Sequence, residues 1–202
     1  MTYELLLAFL LFAFVSSITP GPNNMMLLAS GVNFGVRRSV PHMLGISLGF
    51  MIMVMAVGLG LGQLFERWPV LHSVLRYLGA AYLTYLAWKI ARAGAPKPGE
   101  AAAKPFTFLQ AAAFQWVNPK AWIMAIGAIT TYAPPESFTR NVVVIAVLFA
   151  LVNGPSVSLW TVAGSLLRRW LDNARALKAF NLSMAALLIA SLYPIFTTGV
   201  HG

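Results

Sequence analysis

Prolines, asparagines and a lysine interrupt the apolar stretches of this 202-residue chain. The first interruption, Thr19-Pro20-Gly21-Pro22-Asn23-Asn24, lies in an apolar run from about residue 4 to residue 34. The second, Asn118-Pro119-Lys120, lies in a run from about 106 to 132, and Asn153-Gly154-Pro155 interrupts a third. These residues offer amide groups, free backbone N–H groups and one positive charge, so together they could bind a small ligand that carries a carboxylate.

The prolines predict local breaks after which a helix restarts. Proline removes a backbone hydrogen bond and clashes with the preceding turn, so two prolines around Gly21 should unwind the chain. Proline also suits the first helical turn, so Pro22 and Pro119 should each begin a helix, with Asn118 as the candidate N-cap. Each new N-terminus would favour an anion. The alternative is that each segment is only a packing kink or a helix end.

Lys120 is the charged residue predicted to lie well inside an apolar run. Such residues are costly in a membrane and usually functional. The acidic residues all fall near the start of the chain or in predicted loops: Glu4, Glu66, Glu100, Glu136 and Asp172. Lys120 could therefore receive a ligand carboxylate, or it could snorkel to an interface or bond backbone carbonyls.

The candidate substrate-binding residues are the polar or helix-breaking members of the three interruptions. They are Thr19, Pro20, Gly21, Pro22, Asn23, Asn24, Asn118, Pro119, Lys120 and Asn153. The Asn153 segment is expected to break its run, and it could complete a polar cavity or be a tolerated kink.

No catalytic residue, metal site or cofactor is predicted. The chain has no cysteine, and His42, His72 and His201 all look peripheral. The segment Gly45–Gly49 matches the serine-hydrolase pattern G-x-S-x-G, but that pattern needs a strand-turn-helix elbow. Inside a helix, Gly45 and Gly49 instead form a GxxxG packing face, which would also permit a homodimer.

The composition predicts an all-α membrane protein. Hydrophobic residues make up 59% of the chain and charged residues only 9%, whereas soluble domains carry about 25% charged residues. A spanning helix needs about 20 apolar residues, so six spans fill residues 1–202 as a single transmembrane domain in the lipid bilayer. The predicted spans are 4–34, 40–64, 70–92, 106–132, 141–167 and 179–198, with a short basic loop at Gly35–Ser39.

The spans divide into two halves of three, at about 1–92 and 106–202, joined by a linker at 93–105. An odd number of spans makes the halves opposite in orientation, and the first span of each half is broken. Paired interruptions of this kind are the sequence sign of a transporter built from inverted repeats, with its site between them.

The basic residues predict the orientation in the membrane. Three loops hold ten Lys and Arg: Arg37, Arg38, Lys89, Arg92, Lys97, Lys104, Arg168, Arg169, Arg175 and Lys178. The opposite side holds Arg67, Arg76 and Arg140. By the positive-inside rule the first set faces the cytoplasm and both termini face the periplasm. The net charge of +9 therefore reflects topology and not nucleic-acid binding.

The two landmark segments resemble a known family. Thr19–Asn24 and Gln115-Trp116-Val117-Asn118-Pro119-Lys120-Ala121 are similar to the signatures of the LysE/RhtB amino-acid exporter family, and most similar to the branch that exports cysteine and O-acetylserine. The resemblance implies export of amino acids or their derivatives across a bacterial inner membrane, as an antiport with protons. Many relatives carry an acidic residue in a later span, often in the fifth, and this chain has Val152-Asn153-Gly154-Pro155 there, without an acid.

Two other classes of function stay open from the sequence. A membrane scaffold or assembly protein would not require paired breaks or a lysine within a span. An intramembrane enzyme would need buried acids, bases or metal ligands, which the predicted spans lack. The leading hypothesis is therefore a transporter whose partner is a zwitterionic small molecule.

Overall fold

The computed structural model describes residues 1–61, 67–68, 70–93, 104–171 and 173–193. Its regular elements are all helical, with no strand in these ranges, which confirms the predicted all-α class. The α-helices are α1 Tyr3–Ile18, α2 Pro22–Ala56, α3 Val70–Ala91, α4 Phe108–Gln115, α5 Pro119–Tyr132, α6 Phe138–Leu167 and α7 Ala174–Ala190. A π-helical turn, Val57–Leu61, extends α2, and a 3₁₀ turn, Arg168–Trp170, extends α6.

Within the described residues, two helical stretches are long and apolar enough to cross a membrane: Pro22–Leu61, which bends at Gly35, and Phe138–Trp170. The helix α1 is apolar but shorter. Most of the predicted linker 93–105 and the end of the predicted sixth span lie outside the described residues.

The basic loop predicted at Gly35–Ser39 is wrong. Only Gly35 leaves helical geometry, with φ 75° and ψ 173°, and the helix resumes at once after it. This region of backbone space is open to glycine almost alone. Ser39 Oγ donates to Gly35 O at 2.8 Å and pairs with Ser30 Oγ at 2.8 Å. A single glycine therefore bends α2 where the sequence suggested a loop of five residues.

The break predicted at Asn153-Gly154-Pro155 is also wrong, because α6 runs through Pro155. Proline leaves one carbonyl of the preceding turn without its N–H partner. Hydroxyl groups of the same helix supply extra bonds nearby, from Ser156 Oγ to Val152 O at 2.9 Å and from Ser158 Oγ to Gly154 O at 2.7 Å. Serine side chains of this kind let a spanning helix tolerate proline.

The most extensive interface joins α2 and α6. The two helices approach each other closely at two glycines. Gly31 of α2 packs against the backbone of Thr161 and Ser165, and Gly164 of α6 packs against the backbone of Leu28. A Cβ atom added at either glycine would overlap a carbonyl oxygen of the other helix. Small residues allow this approach, which is how helices associate where lipid offers no hydrophobic drive.

The predicted packing role of Gly45 and Gly49 is confirmed. A Cβ at Gly49 would lie 2.6 Å from Ala112 Cα, and one at Gly45 would overlap Phe108 O, so both glycines pack on α4. Because α4 of the same chain covers this face, the GxxxG pair gives no separate support to a homodimer.

Replacing Gly164 with alanine should lower the thermal stability of the protein strongly. The added methyl group would meet the Leu28 carbonyl, which is backbone and cannot rotate away, and such overpacking costs about 1–3 kcal/mol. Gly154→Ala on the same helix is the matched control, since no atom lies within 4 Å of its added Cβ. Equal melting temperatures for the two purified variants would contradict this account of the α2–α6 interface.

Candidate substrate cavity at the two helix breaks

The first break separates α1 from α2 at Thr19–Gly21. The helix α2 begins at Pro22, as predicted, and Gly21 is its N-cap in an extended conformation. Glycine has no side chain that could accept a bond from the first N–H groups of α2. The start of α2 therefore keeps the N–H groups and the partial positive charge that favour an anion.

The second break separates α4 from α5 and confirms the predicted cap. Asn118 Oδ1 accepts a bond from the N–H of Lys120 at 3.2 Å, and Pro119 occupies the first turn of α5. The side chain of Asn118 is buried. This cap places Lys120 in the first turn of α5, beside the break.

Side chains satisfy the carbonyl groups that the first break leaves open. Asn24 Nδ2 donates to Ser17 O at 2.9 Å and to Thr19 O at 2.8 Å. Trp160 Nε1, from α6, donates to Ile18 O at 3.0 Å. Unwound backbone persists at membrane depth only with such partners. Trp160 was not among the predicted site residues, because its partner lies 142 residues away in the chain and no local sequence pattern connects the two.

Lys120 joins the two breaks directly. Its Nζ donates to Thr19 O at 2.8 Å, to Thr19 Oγ1 at 2.9 Å and to Pro20 O at 3.3 Å. A Cβ at Gly21 would lie 2.8 Å from Lys120 Cδ, so glycine is what lets the lysine lie against this backbone. The sequence left open whether Lys120 binds a ligand carboxylate, snorkels to an interface or bonds backbone carbonyls. In the structure it bonds backbone carbonyls, and it does so beside a cavity.

A second link between the breaks is a reciprocal amide pair. Asn23 Nδ2 donates to Gln115 Oε1 at 2.8 Å, and Gln115 Nε2 donates to Asn23 Oδ1 at 3.1 Å. Gln115 is fully buried and also donates to Ala111 O at 2.8 Å. Gln115 was not among the predicted site residues, although it stands in the segment that resembles the family signature.

A cavity lies where the two breaks meet. Its volume available to water is about 30 Å³, room for one or two water molecules. The lining residues are Ser16, Ser17, Gly21, Asn23, Asn24, Phe50, Gln115, Asn118, Lys120, Ala121, Met124, Asn153 and Val157. Lys120 is the one charged residue in this lining.

The structure brings most of the predicted site residues to this cavity. Of the candidates, Gly21, Asn23, Asn24, Asn118, Lys120 and Asn153 line it. Thr19 and Pro20 contribute the carbonyl groups that hold Lys120, while Pro22 and Pro119 begin the two helices. Ser17 Oγ and Asn153 Oδ1 are buried without a hydrogen-bond partner.

His42 is not peripheral, as the sequence suggested, but fully buried on α2. Its ring packs edge-on against Phe106 with 5.0 Å between centroids, and neither ring nitrogen has a hydrogen-bond partner. The side chain of His72 and all of His201 lie outside the described part of the chain. Within the described part, no group of three or more His, Cys, Asp or Glu residues could hold a metal ion.

Comparison with known proteins identifies the family. Residues 14–191 match the model of the LysE type translocator family. The chain is 34% identical over 198 residues to the "Cysteine/O-acetylserine efflux protein" of Escherichia coli (strain K12), and equally to that of Shigella sonnei (strain Ss046). Each match covers 97% of this chain and all of the relative. No solved structure matches. The chain therefore belongs to the LysE type translocator family, and it is a multi-pass inner-membrane transporter and not an enzyme.

Proposed function

We propose that this protein exports small zwitterionic amino acids or their derivatives, of the cysteine and O-acetylserine kind, from the cytoplasm in exchange for protons. The cavity between the two breaks is the substrate site. The observation that carries the proposal is Lys120, which reaches from one break to the other within a lining that contains no carboxylate.

The charges of the cavity suit the carboxylate of an amino acid. The lining combines the start of α2, with its partial positive charge, and the ammonium group of Lys120. Both favour an anion, and neither favours a free cation such as a polyamine. The cavity therefore selects molecules that carry a carboxylate.

We expect substrate binding to widen the cavity, because its space for one or two water molecules is small for an amino acid. All three donors of the Lys120 ammonium are directed at Thr19 and Pro20. A substrate carboxylate competes with these neutral acceptors and forms the stronger, charge-assisted bond. Its arrival thus loosens the hold of Lys120 on the first break, which couples binding to movement of α1.

The arrangement of helices supports two inverted halves. In each half a short helix, a break and a restarted helix come first, followed by a long spanning stretch and a further helix. In the first half the long stretch is the part of α2 after Gly35, and in the second half it is α6. Breaks that meet at the interface of two inverted halves are typical of transporter sites near the bilayer midplane.

Contacts at one end of the bundle support the proposed topology, with the basic loops in the cytoplasm. Arg168 donates to Val32 O at 3.0 Å, which ties the end of α6 to α2 near Gly35. Asn181 of α7 makes a reciprocal amide pair with Asn33 and donates to Ala93 O at 2.6 Å. The segments beside all three groups of basic residues therefore share one end of the bundle.

Cysteine labelling should report this orientation in the cysteine-free chain. In intact cells, Arg67→Cys should react with a membrane-impermeant maleimide from outside, whereas Arg169→Cys should react only after the cells are opened. Cysteines introduced at either terminus should react from outside, as Arg67→Cys does. Lys97→Cys should be protected in intact cells, as Arg169→Cys is. The reverse pattern would overturn the topology.

The proposed function is tested by ligand-induced thermal stabilisation of the purified protein, followed by transport in proteoliposomes. A panel should contain cysteine, O-acetylserine, serine, lysine and a polyamine. We expect the small zwitterions to raise the melting temperature of the protein. We also expect their transport to be faster when protons can flow down their gradient in the opposite direction. Stabilisation by the polyamine but by none of the small zwitterions would contradict the proposed substrate class, and a transport rate that does not depend on the proton gradient would contradict proton exchange.

A further inference from the structure

Two buried oxygens in the cavity wall lack a hydrogen-bond partner. They are Ser17 Oγ on α1 and Asn153 Oδ1 on α6. Both residues line the cavity, and only 6% and 5% of their respective surfaces are exposed. Buried polar groups are nearly always hydrogen-bonded, and one that is not requires an explanation. Asn153 Oδ1 can only accept a hydrogen bond and Ser17 Oγ can accept as well as donate, so a ligand that donates hydrogen bonds would satisfy both atoms.

The other acceptors near the break are already bonded. The backbone carbonyls of Ser17 to Pro20 accept bonds from side chains. Asn23 Oδ1 accepts from Gln115, and Asn118 Oδ1 accepts from the N–H of Lys120. Ser17 Oγ and Asn153 Oδ1 are therefore the fully buried oxygens of the lining that keep a free hydrogen-bonding position.

The position of Ser17 adds an electrostatic reason. Ser17 lies in the last turn of α1, and the C-terminal end of a helix carries a partial negative charge that favours cations. The start of α2 provides positive charge to the same cavity, while the Lys120 ammonium is held by the carbonyls of Thr19 and Pro20 between the two helices. The two ends of the broken helix thus present opposite charges, as the two ends of an amino acid do.

We propose that Ser17 Oγ and Asn153 Oδ1 bind the primary ammonium group of the transported amino acid, while its carboxylate lies at Lys120. The inference rests on the proposed function and names the part of the site that recognises the amine. A primary ammonium carries three N–H donors, enough for both oxygens. The pair therefore makes a free amino group a requirement for transport.

The test compares cysteine with mercaptopropionate, which is cysteine without its amino group. Asn153→Leu keeps a side chain of similar size but removes the amide. We expect it to weaken cysteine binding to the full-length purified protein by about ten- to hundredfold, the effect of losing a bond to a charged group. Binding of mercaptopropionate should not change. Ser17→Ala should act in the same direction.

The control is Ser191→Ala, since the Ser191 hydroxyl is bonded to Leu188 O at the end of α7 and does not line the cavity; it should change neither affinity. If Asn153→Leu does not fold, Ser17→Ala decides by the same comparison. Equal weakening of both ligands would overturn the assignment. The assignment would also be overturned if Asn153→Leu or Ser17→Ala changed only the dependence of transport on sodium, because the two oxygens would then bind an inorganic cation. If the unmodified protein binds no amino acid at all, the proposed function fails before the subsite is tested.

Discussion

Replacing Lys120 with alanine should weaken binding of a zwitterionic amino acid by about ten- to hundredfold. The substitution removes the one charged group of the cavity lining, and a hydrogen bond to a charged group is worth about 1.5–3 kcal/mol. The measurement is the dissociation constant of the purified protein, together with export from loaded vesicles. Lys178→Ala is the matched control, because it removes the same charge from an exposed position on α7.

Amidation of the ligand carboxylate separates the two roles of Lys120. If the lysine meets the carboxylate, the amidated ligand has already lost that bond and Lys120→Ala should hardly change its affinity. If Lys120 acts only by holding Thr19 and Pro20, the variant should weaken both ligands alike. Binding and export of the parent amino acid at unmodified levels would mean that the substrate site lies elsewhere.

Asn24→Ala should lower both the stability and the transport rate. The substitution removes both donors of the side chain, so that Ser17 O loses its side-chain partner while Thr19 O keeps its bond to Lys120. An orphaned buried carbonyl costs about 1–3 kcal/mol. Because the same backbone holds Lys120 in place, we expect transport per folded protein to fall about tenfold, the effect of 1.4 kcal/mol of lost preorganisation.

Asn141→Ala controls for the loss of stability alone. Asn141 is as buried as Asn24 and also donates to two backbone carbonyls, Pro134 O at 3.1 Å and Glu136 O at 2.9 Å, but it does not line the cavity. Its variant should melt at a lower temperature and still transport normally when the amount of folded protein is equal. The same loss of transport in both variants would make Asn24 a purely structural residue.

Local chemistry made several features predictable. Proline constrains its own backbone and that of its neighbours, so Pro22 and Pro119 begin helices where the sequence placed them. Asn118 caps α5 through a contact two residues away, and the glycines of Gly45–Gly49 were recognisable from their spacing. Each of these effects acts within one helical turn, which is the range over which sequence patterns are informative.

The wrong predictions concern effects that local patterns cannot resolve. The sequence suggested a loop at Gly35–Ser39, but one glycine with positive φ is enough to redirect a helix. Pro155 looked like a break, yet hydroxyl groups and the packing of α6 on α2 keep the helix continuous. His42 looked peripheral because burial depends on which helices come to cover it.

By itself, the sequence determined that two apolar runs must break, and that Lys120 is a charge placed inside one of them without a nearby acid. Only the tertiary structure decided what Lys120 contacts, since its acceptors at Thr19 and Pro20 lie 101 and 100 residues away. It also brought Gln115 and Trp160 to the first break and left Ser17 and Asn153 with free oxygens. The physical reason is that unwound backbone in a membrane must find hydrogen-bond partners, but those partners come from whichever helices pack beside it.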